Sequence, residues 1–268
     1  MMNLDTLPVA PIATNSDQVE AVTAALAAHS LALVPRFPAE TDRFLDFLSN
    51  FGEPLHYYGD GTGTHPSSGA IWRIKYDPAQ AARREIHAVD GPLMPHSSQS
   101  LRDPRPPYFC MFMIDHGWLD MPTGKSGASL LVRWSDVLER MHTVDPGGYA
   151  EIVAALEASV PHPGGIARPV VYRLTSPRGP YDLGVRLKSD LLEHLRSQLP
   201  EHPSTRAVEL LSTTALEVAQ RIQLRSGDLL LLDNDRWGHG RESVVGRRRR
   251  AGREPELNPR ELWSVTLG

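Results

Sequence analysis

A mainly β domain with covering helices, α+β in class and built on a barrel or jelly roll, is what the sequence predicts. Two observations carry this. Short apolar runs recur between turn signals, and helical patterns interrupt them without the strict strand-by-strand alternation that βαβ winding requires. The 268 residues, 41% hydrophobic and 22% charged, also suffice for one large core without a linker, so a single domain over residues 1–268 is expected.

The elements follow in order. Asn15 or Ser16 can cap a helix with Val19, Val22, Ala25 and Leu26 on one face. Leu31 to Val34 is a short strand ended by Pro35. Thr41 can cap a second helix, with Phe44, Leu45, Phe47 and Leu48 inside and Gly52 as its stop. Residues 57–69, rich in glycine and serine, form a lid-like loop. Strands are expected at Ala70–Ile74, Tyr108–Ile114, Ser129–Val132, Pro169–Leu174, Leu229–Leu232 and Leu262–Leu267. Helices are expected at Ser135–Met141, Gly148–Ala158, Ser189–Gln198 and Ser204–Ile222. A second lid-like loop spans residues 242–258.

Bulk chemistry excludes several classes. A net charge of −4 speaks against nucleic-acid binding. The run Arg247 to Arg250 has no interleaved aromatics and reads as a solvated loop. The one cysteine, Cys110, cannot build an internal disulfide framework and suits a reducing cytoplasm. No apolar run reaches membrane-spanning length. Gly124-Lys125-Ser126 lacks the upstream glycine of a phosphate-binding loop.

The most informative stretch runs from Gly227 to Arg260. A turn at Gly227-Asp228 feeds the apolar run Leu229 to Leu232, then come Asp233-Asn234 and His239-Gly240-Arg241. Later, Arg260 opens the C-terminal apolar run Leu262 to Leu267. A histidine and an arginine at the ends of two buried strands can face one cavity, where one holds a metal and the other a carboxylate. Far upstream stands His96-Ser97-Ser98. On a strand, residues two apart share a face, so His96 and Ser98 would address one point. A histidine followed two residues later by a carboxylate, with a distant second histidine, is the facial triad of non-haem iron enzymes. Here the carboxylate position holds Ser98.

With these residues the chain resembles the taurine dioxygenase and clavaminate synthase group of Fe(II)/2-oxoglutarate-dependent oxygenases, which share a double-stranded β-helix fold. Phe51-Gly52-Glu53-Pro54 resembles an early element of that group, and Gly127-Ala128-Ser129 its Gly-X-Thr turn. The resemblance implies that His96 and His239 bind iron, and that Arg260 grips the distal carboxylate of 2-oxoglutarate, with Ser129 donating a hydroxyl to it. O2 completes the cofactor set, and the protein's part is to orient and shield. Ser98 departs from the pattern. Within the superfamily a small residue here lets chloride or bromide take the position and be transferred, so halogenation and hydroxylation both stay open. Ser98 could also hydrogen-bond a halide or water, or a carboxylate from elsewhere could ligate.

Arg241 is expected to bind Asp233 or to touch substrate, and Trp237 to pack in the barrel. His56, His65, His87 and His116 fall in loop-like segments, as solvated or substrate-facing groups. The expected function is thus oxidation of a C–H bond of a small polar metabolite, an amino acid or derivative. The rival is a non-catalytic β-helix binding module that has lost its metal.

Overall fold

A computed structural model describes residues 15–56, 62–83, 85–249 and 254–268, with the side chains of 15 and 16 outside the description. In chain order the strands are β1 (Leu31–Val34), β2 (Thr64–His65), β3 (Ser68–Lys75), β4 (Leu93–His96), β5 (Tyr108–Asp115), β6 (Ser129–Arg133), β7 (Val160–Pro161), β8 (Ala167–Arg168), β9 (Val171–Arg173), β10 (Leu183–Val185), β11 (Gln220–Ile222), β12 (Leu229–Asp233), β13 (Trp237–Arg241), β14 (Arg247–Arg248), β15 (Glu256–Leu257) and β16 (Glu261–Leu267). The helices are α1 (Asn15–His29), α2 (Thr41–Leu48), α3 (Pro78–Ala81), α4 (Trp134–Val144), α5 (Tyr149–Glu157), α6 (Leu191–Gln198) and α7 (Pro203–Val218).

Two antiparallel sheets make the mixed α+β fold. The larger runs β1-β12-β5-β16-β3-β2 and the smaller β11-β6-β13-β4. The run Leu229 to Leu232 shows why it is apolar at every position. Leu229 and Leu231 join the cluster under α1 and α2, with Phe44, Phe47, Phe112 and Trp263. Leu230 and Leu232 point the other way, into a cluster with Phe109, Met111 and Leu131. A strand covered on both faces has no solvent side to keep polar. Leu131 and Trp237, from the smaller sheet, join that second cluster, so the sheets pack face to face. Helices α4 to α7 cover the smaller sheet's outer side around Trp134, Val137 and Leu211.

Several expectations need correction. Thr41 is the first helical residue; its N-cap is Glu40, which makes no side-chain cap bond. The helix ends at Leu48, ahead of Gly52. The strand expected over Pro169–Leu174 is shorter, Val171–Arg173, and pairs with β10. The expected helix over Ser204–Ile222 stops at Val218, and Gln220–Ile222 pairs with β6 instead. Part of the 57–69 loop is strand, β2 and the start of β3; residues 57–61 lie outside the description. Residues 242–258 hold the β14–β15 hairpin, with residues 250–253 likewise outside. Trp237, 5% exposed, packs as expected.

Candidate active site

One register places four of the side chains. In β13, His239 lies opposite His96 of β4, and Arg241 lies opposite Ser129 of β6. Facing residues of an antiparallel pair share a sheet face, and so do residues two apart along a strand. His96, His239, Arg241 and Ser129 therefore emerge on one side, toward the larger sheet. Gly240 makes this possible, because a Cβ there would meet the Leu93 carbonyl oxygen at 2.6 Å and the Pro95 nitrogen at 2.9 Å. His239 is the third residue of β13, not a residue at the end of the Leu229 run as the sequence suggested.

Between the sheets lies a cavity of about 510 Å³, lined by His96, Ser98, Ser129, His239, Arg241 and Arg260 among others. The five sequence-predicted site residues thus share one cavity. The apolar part of its wall includes Phe109, Met111 and Leu262.

The two imidazole rings stand 4.4 Å apart, centroid to centroid. His96 Nδ1 lies 2.8 Å from the Met94 carbonyl. A carbonyl only accepts, so Nδ1 carries the proton and Nε2 keeps its lone pair for a ligand. His239 stacks on Phe109 at 4.2 Å, and its buried Nδ1 has no hydrogen-bond partner among the described residues. Burial lowers the pKa of both histidines, with His96 adding to the effect on His239. Neutral imidazole is the metal-binding form.

Ser98 departs from its expected geometry. Strand β4 ends at His96, and Ser98 sits in the following turn, where Gln99 has φ +42°. Asn234, fully buried, determines where that turn goes. Its Oδ1 accepts the Ser98 N–H at 3.1 Å, and its Nδ2 donates to the carbonyls of Ser98 at 2.9 Å and Pro106 at 3.0 Å. Ser98 still lines the cavity, through this side-chain bracket and not through strand alternation. No aspartate, glutamate or cysteine joins the histidines into a three-residue metal-binding group among the described residues. Asp103 pairs with Arg168 at 2.9 Å, and Asp115 accepts the Gly117 N–H at 2.8 Å.

Arg260 lies just before β16, its N–H held by Asn258 Oδ1 at 3.0 Å. It is 4% exposed, its Nε is unpartnered, and no salt bridge links it to a carboxylate among the described residues. Gly127, at φ +69°, leaves it room, since a Cβ would sit 2.9 Å from the Arg260 Nε. Burial, with the charge of Arg241 beside it, brings the guanidinium pKa down to about 9. A buried cation without an anion awaits one.

Arg241 does not bind Asp233. That carboxylate pairs with Arg236 at 2.7 Å, while Arg241 Nη2 donates to the carbonyls of Val89 at 2.8 Å and Gly91 at 2.7 Å. Of the other histidines, only His87 lines the cavity, edge-on to Trp72 at 4.7 Å. Sequence reasoning missed Asn234 as the Ser98 bracket, the 85–89 wall, and the Lys188–Asp190 pair on the rim, bonded at 2.5 Å. The Asp233-Asn234 pair at a strand end was a usable signal for the first; the others carry none.

The lowered histidines have a consequence for stability. His96, His239 and, outside the cavity, His162 all titrate below the ordinary 6.5, burial being the main cause. The unfolded chain therefore takes up protons first as pH falls through 6.5. Metal-free protein should accordingly lose thermal stability between pH 7 and pH 5. Glu261 cannot offset this; burial would raise its pKa, but bonds from Arg73, Trp263 and Lys75 bring it down to about 2. A melting temperature that stays flat across that window would mean the imidazoles are freely protonated in the fold.

Comparison with known proteins returns a match over residues 8–254 to the family model described as taurine catabolism dioxygenase TauD, TfdA family; Arg260 lies beyond the matched span. Solved structures give the same fold at low identity. A variant of the non-heme iron oxygenase OrfP superposes with TM-score 0.62 at 14% identity, covering 96% of this chain and 80% of that one. Asparagine oxygenase gives 0.60 at 14%, with 94% and 83% covered. A taurine dioxygenase from Burkholderia xenovorans gives 0.59 at 15%, with 96% and 81% covered. The comparison with curated proteins finds no match.

Proposed function

Because the chain belongs to the TauD, TfdA family of dioxygenases, enzymes that use Fe(II), 2-oxoglutarate and O2, we propose that it oxidises an unactivated C–H bond of a small polar metabolite, by halogenation or hydroxylation. The carrying observation is the convergence in one cavity of two neutral-biased histidines and a buried arginine without an anionic partner among the described residues. The two sheets are read as the halves of a double-stranded β-helix, with the site between them.

The residues fit the cofactors with one exception. His96 Nε2 and His239 would hold the iron, while Arg260 and the Ser129 hydroxyl would take the distal carboxylate of 2-oxoglutarate. The exception is Ser98, which brings no charge where a carboxylate would stand. Together, metal and cosubstrate supply the oxidant. The chain binds and orients both, and Phe109, Met111 and Leu262 keep water from the reacting face. With a neutral hydroxyl where a carboxylate would stand, no fixed negative charge at position 98 opposes a small anion such as chloride or bromide by the metal. That supports halogenation without removing hydroxylation.

An amino acid or derivative is the preferred substrate class. OrfP was solved with (3S)-hydroxy-L-Arg and asparagine oxygenase with a hydroxyasparagine. Among the described residues no helix is long and apolar enough to cross a membrane; the cytoplasmic location in this proposal rests on the lone cysteine, Cys110, which suits a reducing compartment.

Anaerobic addition of Fe(II) and 2-oxoglutarate should produce the weak visible charge-transfer band of the chelate. If the band fails to appear, the enzyme reading falls and a binding module without metal takes its place. Product masses from parallel reactions in chloride and in bromide separate the two outcomes. A product that gains only oxygen in both salts eliminates halogenation.

A further inference from the structure

The segment 85–91 connects α3 to β4 outside any regular element, yet Glu85, Ile86, His87 and Val89 form one wall of the cavity. Backbone carbonyls hold it in place. Those of His87 and Ala88 accept the N–H groups of Lys75 and Asp77, each at 3.1 Å, and that of Asp90 accepts the Val244 N–H at 2.7 Å. Two more, on Val89 and Gly91, both go to a single atom, Nη2 of Arg241.

Arg241 therefore has two faces. One Nη binds the wall. Its Nε is buried and unpartnered, as is that of Arg260, and both guanidiniums line the same cavity. Their charges are close enough to act on one another, and Asp90 is the carboxylate acting on Arg241. A single anion between Arg241 and Arg260 would relieve their repulsion and fix the orientation of both planes. Fixing Arg241 fixes the two carbonyls it holds.

We propose that Arg241 is a positioning residue that shares the cosubstrate's distal carboxylate with Arg260 and thereby couples cosubstrate binding to ordering of the 85–91 wall. This rests on the cavity being a 2-oxoglutarate site. Binding is then ordered: the cosubstrate firms the wall against which substrate packs. By reciprocity, a firm wall tightens cosubstrate binding by the same factor.

Amide hydrogen exchange, followed with and without 2-oxoglutarate under anaerobic Fe(II), tests the coupling. In the wild-type chain, residues 85–91 should exchange roughly tenfold more slowly once the cosubstrate binds, within the usual range of such couplings. Arg241→Met should still bind 2-oxoglutarate through Arg260, more weakly, while exchange at 85–91 no longer responds to it. Arg241→Lys, which keeps charge but lacks the planar fork, should show the same uncoupling, and decides the matter if the methionine variant does not fold. A wall that responds equally in wild type and variant overturns the proposal, as does a wild-type wall indifferent to bound cosubstrate. Absence of any 2-oxoglutarate binding in a calorimetric titration of wild type overturns the site reading as well, so the two failures are told apart.

Discussion

Arg260→Ala is expected to weaken 2-oxoglutarate binding by about 2 to 5 kcal/mol, the cost of truncating one member of a buried charge pair. On a dissociation constant that is roughly thirtyfold to several thousandfold. The size follows from where the group sits. At 4% exposure, water cannot replace the guanidinium, so the ligand carboxylate would be left beside Arg241 and the Ser129 hydroxyl alone. Arg260→Lys should fall between, because an ammonium keeps the charge and loses the bidentate geometry. Titration of the charge-transfer band, or calorimetry, measures both. The ligand-free protein should behave in the opposite sense. Removing a buried cation that no carboxylate among the described residues pairs with relieves a desolvation cost, so the melting temperature of Arg260→Ala without ligand should not fall. A variant that loses stability but keeps cosubstrate affinity would make Arg260 a structural residue and refute the clamp.

The parts of this site legible in the sequence are those that one residue or one run encodes locally. Four consecutive leucines at 229–232, bounded by Gly227-Asp228 and Asp233-Asn234, read as a buried strand, and both its faces are covered. An arginine heading the last apolar run needs a partner wherever the run is buried. Illegible were the strands whose composition argues against them. Trp237-Gly-His-Gly-Arg241 holds two glycines, and Leu93-Met-Pro-His96 a proline, so composition disfavours both; the strand read around His96 extends to Ser98, where the structure ends it at His96. Both exist because they pair with each other and β13 with β6. Gly240 is there for close approach and would be a fault in a strand judged by propensity. The same tertiary override turned Gln220–Ile222 from an apparent helix end into an edge strand beside Ser129. The Asp233-Asn234 pair at a strand end marks Asn234 as a residue to watch, but its partner Ser98 lies 136 residues away in the chain, and no local pattern names a partner at that separation.

That long-range bracket makes Ser98→Asp the most telling substitution at the metal position. Asn234 holds both the N–H and the carbonyl of residue 98, so a new side chain starts from a backbone already fixed and facing the cavity. Aspartate restores the His-X-Asp spacing of a facial triad. A carboxylate near a divalent cation contributes several kcal/mol at the effective dielectric of a protein site, and desolvation takes back only part of it. Fe(II) affinity should therefore rise by roughly tenfold or more, which is about 1.4 kcal/mol. The carboxylate also occupies the position open to chloride or bromide. Any halide dependence of the charge-transfer band should vanish, and products should gain oxygen alone. Should iron affinity stay unchanged, position 98 does not face the metal, and the reading of Ser98 as the vacated ligand position fails. A Ser98→Ala control keeps the position small and neutral; it should leave iron affinity near that of wild type and preserve the response to halide. The contrast between alanine and aspartate isolates charge at one atom cluster, since the Asn234 bonds engage only the backbone of residue 98 and persist in both variants.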